Sequence, residues 1–168
     1  TRASVALAEL ARKILYEDGE KALRALECGA VTEAVENVVE ANIFLGGQFE
    51  NGGSSVAHAV HGALTAFPAT NPYMHGEKVA FGIMVQLVLE NAPAAELGRG
   101  AQWLISLELP VTLGELGLEA DDATIAVLAE KVAAKESRAN VLPMRLTRQL
   151  VHDAIKAADQ AGRHLLTK

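Results

Sequence analysis

Apolar residues recur every three or four positions along nearly the whole of this chain, and no stretch alternates with the period of two that a half-buried strand needs. Each segment therefore carries one apolar stripe, and the chain has to fold by packing helix on helix. Leu7, Leu10, Ile14 and Leu15 share one side of a first helix over Ala3 to Tyr16, with Asp18-Gly19 as a break or bend before Glu20 to Leu26. Thr32 opens the next as a hydroxyl cap, Val35, Val38, Val39 and Leu45 line it, and Gly46-Gly47 ends it. Ser54 or Ser55 caps a third, striped by Val56, Val60, Leu64 and Phe67, and Pro68, Asn71 and Pro72 make its return loop. Val79 to Leu89 is apolar almost all round, as a buried central helix would be.

Further helices follow. One runs from Pro93 through Leu107, and Pro110 to Gly117 is a connection with room for a short helical turn. Asp121 or Asp122 caps a helix holding Ile125, Leu128, Ala129 and Val132, Ser137 to Pro143 is a loop, and Thr147 opens the last helix. The expected fold class is all-α, a multi-helix bundle-like domain, and the length predicts a single domain over 1–168.

Composition narrows the function. Half the residues are hydrophobic and only 4% aromatic, so the core is built from Ala, Val and Leu. The net charge is −6 with the two signs interspersed, and no basic run exists to neutralise phosphates, which argues against nucleic acid as a partner. The longest apolar stretch, Val79 to Leu89, is too short to cross a membrane. The single cysteine, Cys28, excludes an internal disulfide and is expected to be buried or semi-buried; this usage is compatible with a reducing compartment. Trp103 is expected in the core, His152 and His164 in solvent, and Asp159 with Arg163 as an ordinary i,i+4 pair. Phe49, alone in a Gly-rich loop, is either a cap on the core or the wall of a cleft.

Three of the five histidines fall between Ser54 and Val79. His58 lies about 160° around its helix from Val56 and Val60, off the apolar stripe, and His61 is about 60° from His58 on the same face. His75 opens the next helix, where the positive dipole end disfavours protonation and keeps a ring nitrogen available. Imidazoles brought together by two adjacent helices can hold a zinc-type ion. A catalytic zinc needs three protein ligands and an open position. His58 and His75 supply two, while His61, Glu77, Glu50 and a carboxylate outside this chain compete for the third.

The run NGGSSVAHAVHGALTAFPATNPYMHGEKVAFG resembles the metal-binding segment of glycerol dehydrogenases in the iron-containing alcohol dehydrogenase superfamily. Leu7-Ala8-Glu9-Leu10, Glu40-Ala41-Asn42, Gln86 to Pro93, Leu109 to Leu113 and Ala157 to Gln160 fit the same pattern, so the resemblance extends over essentially the whole chain. It implies that this chain is the helical C-terminal domain of a two-domain enzyme whose N-terminal dinucleotide-binding domain is absent from these 168 residues. It implies zinc held by His58, His75 and an Asp that lies before Thr1, with His61 close by but not a ligand and Phe49 lining the substrate pocket. The implied chemistry is oxidation of glycerol to dihydroxyacetone with NAD, in a cytoplasmic homo-oligomer. The loop Gly46-Gly47-Gln48-Phe49 is slightly shorter than the family's. Rival readings are another polyol or a glycerol-1-phosphate dehydrogenase of the same superfamily, and a non-catalytic helical assembly module. Phosphorylated substrates call for extra basic anchors, and Lys78 is the only base near the histidines in the sequence.

Overall fold

The computed structural model describes residues 1–46, 53–141 and 143–167. The all-α expectation holds: the described residues form seven α-helices and no strand. They are α1 (Arg2–Glu27), α2 (Glu33–Glu40), α3 (Val56–Leu64), α4 (His75–Leu89), α5 (Ala94–Ser106), α6 (Asp122–Val132) and α7 (Arg148–Leu166). The helices gather into two compact units, Thr1–Gly53 and Ser54–Lys168. Among the described residues no helix is long and apolar enough to cross a membrane.

In the first unit, α1 packs against α2 and the π-helical turn Ala41–Gly46 that prolongs α2. The expected break at Asp18-Gly19 does not occur, because both residues serve the helix pair. Gly19 is buried, and Asp18 accepts a hydrogen bond from Asn37 Nδ2 on α2 at 2.8 Å while pairing with Lys21 one turn on. Ala11, Ala41 and Leu45 form the small core, with Leu7, Ile14 and Leu15 against it. Leu10 is 45% exposed, outside the stripe expected for it. Thr32 stands at the N-cap of α2, but its side chain makes no capping bond. Cys28 is exposed, contrary to the expected burial, because it lies just past the end of α1, with its thiol 3.1 Å from the Ala25 carbonyl.

The second unit holds the larger core. Val56, Val60 and Leu64 from α3 meet Phe81, Met84 and Val85 from α4, Leu104 from α5, Ile125 and Leu128 from α6, and Ile155 from α7. The α4 helix packs against α3, α5 and α7, as its all-round apolar surface predicts. Trp103 packs half-buried against this core. Asp121 caps α6 by accepting from Thr124 N at 2.6 Å, and Thr147 caps α7 by accepting from Leu150 N at 3.2 Å. His152 is half-buried rather than solvated, with a ring nitrogen 3.3 Å from Asp153 and another 3.8 Å from Asp122, whereas His164 is exposed as expected.

Candidate metal and substrate site

The histidine segment folds as the hairpin α3–loop–α4. Leu64 ends α3, and the buried Thr70 hydroxyl lies 2.8 Å from the Leu64 carbonyl and 3.0 Å from that of Phe67, which ties the return turn to the helix end. The short turn Pro68–Thr70 then returns the chain to His75, the first residue of α4. Glu77 turns its carboxylate back onto the Met74 N–H at 2.5 Å, which closes the first turn of α4. At the far end of the hairpin Ser55 occupies the N-cap of α3 but its side chain accepts no capping bond; Gln86 Oε1 accepts from Ala57 N at 3.2 Å instead. Between these ends α3 and α4 approach closely at Gly82. A Cβ on Gly82 would overlap the Ala57 carbonyl oxygen and stand 2.8 Å from the Ala57 Cα.

That close approach brings the three histidine rings together. His58 and His75 have ring centroids 5.4 Å apart at an interplanar angle of 46°, and His61 and His75 have centroids 4.2 Å apart at 65°. His75 Nδ1 lies 3.2 Å from His61 Nε2, so one of these nitrogens donates to the other. The His61 pKa is lowered, first by its removal from water and then by the positive charges of His75, Lys78, His58 and Arg138. His61 is therefore held neutral and fits the acceptor role. With the His75 Nδ1–H donating, His75 Nε2 keeps its lone pair for a ligand.

Of the acids weighed for the third position, Glu77 is committed to Met74 N, and Glu50 lies outside the described residues, as does Phe49. Among the described residues no group of three His, Cys, Asp or Glu side chains is placed to hold a metal ion.

The structure adds groups that local spacing does not reveal. A cleft of about 370 Å³ runs beside His58 and His61, and its other wall is Lys131 from the end of α6 with Glu136, Ser137 and Arg138 from the segment that follows. Arg138 Nη1 is 3.4 Å from Ser54 Oγ, just ahead of α3. Lys78 is therefore not the only base at the histidines. The others stand more than fifty positions away in sequence, and only the packing of α6 and the turn Arg138–Val141 against α3 delivers them. Lys78 itself is 6% exposed, its stem buried on α4 one turn after His75.

No family model matches the chain. Glycerol dehydrogenase of Escherichia coli O6:H1 is 45% identical over 168 residues, which make up 99% of this chain and 46% of that protein. Among solved structures, a probable glycerol dehydrogenase from Sinorhizobium meliloti 1021 superposes with a TM-score of 0.93 at 38% identity, covering 98% of this chain and 47% of that one. The chain is a relative of the glycerol dehydrogenases. A second solved glycerol dehydrogenase, from Schizosaccharomyces pombe, superposes with a TM-score of 0.94 at 32% identity, covering 99% of this chain and 43% of its own. The helical fold is thus shared with glycerol dehydrogenases from a bacterium and a yeast, and the chain spans about half the length of the relatives it matches.

Proposed function

We propose that this chain supplies the metal- and substrate-binding part of an NAD-dependent glycerol dehydrogenase that converts glycerol to dihydroxyacetone. The observation that carries this reading is the meeting of the His58 and His75 rings across α3 and α4, with His75 Nδ1 hydrogen-bonded to His61. The donor set suits zinc: two imidazoles, one of them held by a second-sphere hydrogen bond of the kind that fixes the tautomer of a ligating histidine. His58 and His75 would hold the ion together with a carboxylate from a segment outside these 168 residues. When bound, zinc supplies Lewis-acid polarisation of a substrate hydroxyl.

This chain's own residues then do the positioning. His61 would accept from His75 Nδ1 and so orient the His75 ring with Nε2 toward the ion. Phe49 would wall the substrate pocket. NAD, held by the other part of the enzyme, would supply the acceptor for hydride from the carbinol carbon, and the hydroxyl proton would leave to solvent. Assembly as a homo-oligomer in the cytoplasm completes the reading.

The test is zinc binding and glycerol-dependent NAD reduction, measured for the 168-residue chain and for the same chain joined to a dinucleotide-binding part. The chain alone is expected to bind zinc weakly and to be inactive. The joined enzyme should take up one zinc per subunit, and His58→Ala or His75→Ala should each lower activity at least about a hundredfold. Stoichiometric tight zinc in the isolated chain, or full activity in either variant, would overturn the reading.

A further inference from the structure

Among the described residues Asp159 and Lys78 are the buried charged side chains, and the fold treats them differently. Asp159 is answered within the chain, by the Leu113 N–H and by Arg163 Nε. Lys78, 6% exposed on α4, makes no ion pair and no hydrogen bond with any described residue. Glu77, the acid beside it, is committed to Met74 N. Arg2, Arg99, Lys135 and Arg145 also lack a described carboxylate partner, but all four are exposed and water answers their charge. Lys78 has little such outlet, and a cation so placed costs free energy until a partner meets it.

The position of Lys78 narrows the partner. It stands one turn after His75 on α4, about 60° around the helix. Its charge lowers the His61 pKa, behind burial and His75 in size and ahead of His58. The ammonium therefore belongs to the histidine cluster. That cluster is short of one carboxylate: His58 and His75 supply two ligands, and no described acid is placed as the third. Two imidazoles bring no negative charge, so a metal ion and an ammonium side by side would repel without a carboxylate between them.

We propose that Lys78 is a positioning residue for the carboxylate that completes the metal site: its ammonium holds one carboxylate oxygen and leaves the other for the ion. A carboxylate accepts at both oxygens, so one group can serve both partners. The charge-assisted bond from Nζ would fix the orientation of the carboxylate, as outer partners of metal ligands do. The proposal rests on the dehydrogenase reading for the ion and for a carboxylate from outside these 168 residues; what it adds is the residue that receives that carboxylate.

The experiment compares native, Lys78→Met and Lys78→Arg proteins, each as the 168-residue chain and as the joined enzyme. The readouts are the urea midpoint of the chain and the zinc affinity of the joined enzyme, measured by competition with a chelator. In the chain alone the ammonium has no partner to lose, so Lys78→Met should leave the midpoint unchanged or raise it. In the joined enzyme the same change should weaken zinc at least about tenfold, and Lys78→Arg, which keeps the charge, should recover part of that loss. A merely structural lysine would instead lower the midpoint of the chain. A lowered midpoint in Lys78→Met, or zinc affinity in the joined Lys78→Met enzyme equal to the native one, would each overturn the proposal and leave the dehydrogenase reading standing. A native joined enzyme that takes up no zinc would overturn both.

Discussion

Asp159 shows how much one residue's meaning depends on its neighbours. In sequence it is half of an i,i+4 pair with Arg163, worth a few tenths of a kcal/mol on a solvated helix. In the structure it is 4% exposed, and its Oδ1 accepts from the Leu113 N–H at 2.8 Å while Oδ2 accepts from Arg163 Nε. It therefore pins the connection between α5 and α6 to α7. Asp159→Ala would leave that buried N–H without a partner and is expected to cost about 2–3 kcal/mol, because hydrogen bonds to charged groups stand at the strong end. A fall in the urea midpoint with an unchanged slope checks this; a midpoint within error of the native one would show the bond to be dispensable. At the same scale, His58 and His75 were legible as chemistry-bearing residues from their positions off the apolar stripe and at a helix start. Lys131 and Arg138 were not, since nothing in their local spacing marks them.

At the scale of elements the decisive unit is the α3–α4 hairpin. The stripe Val56, Val60 and Leu64 and the all-apolar run of α4 fix which faces meet. Gly82 fixes how closely they meet. Gly82→Ala would drive a methyl group into the Ala57 backbone, and overpacking of this kind costs about 1–3 kcal/mol. The expected outcome is a destabilised chain in which the contact between the His61 and His75 rings is also loosened, seen as a change in their NMR coupling to one another. A variant as stable as the native chain would mean that α3 and α4 can separate at no cost. Most helix starts were readable from periodicity and cap residues to within a residue or two, but α1 runs through Asp18-Gly19 and α3 stops at Leu64, short of Phe67. The caps were readable only in part. Asp121 and Thr147 cap as their chemistry suggests, whereas Thr32 and Ser55 do not, and at Ser55 the donor it would have served is taken by Gln86, twenty-nine residues from Ala57. Side-chain capping is a local rule that a distant partner can override.

At the scale of the whole molecule the two units differ in how much they bury. Among the described residues the second unit has a continuous core running from Val56 to Ala158, while the first has Ala11, Ala41 and Leu45 with a few half-buried neighbours. Regions with few buried apolar contacts open at lower free energy. Hydrogen exchange should therefore find the amides of α4 at least about tenfold more protected than those of α1. Equal protection in the two helices would show that the chain opens only as one cooperative body.

The sequence by itself determined the all-α class, the order of the helices, the apolar faces and the histidines that approach one another. These follow from periodicity, helix-stop residues and short loops, which act within a few positions along the chain. Only the tertiary structure decided that Gly19 continues a helix, that Asp159 is buried, and that Lys131 and Arg138 face the histidines across a cleft. Those outcomes depend on which helices pack together and on what each buried polar group finds there. Such contacts join positions tens of residues apart and leave no local signature.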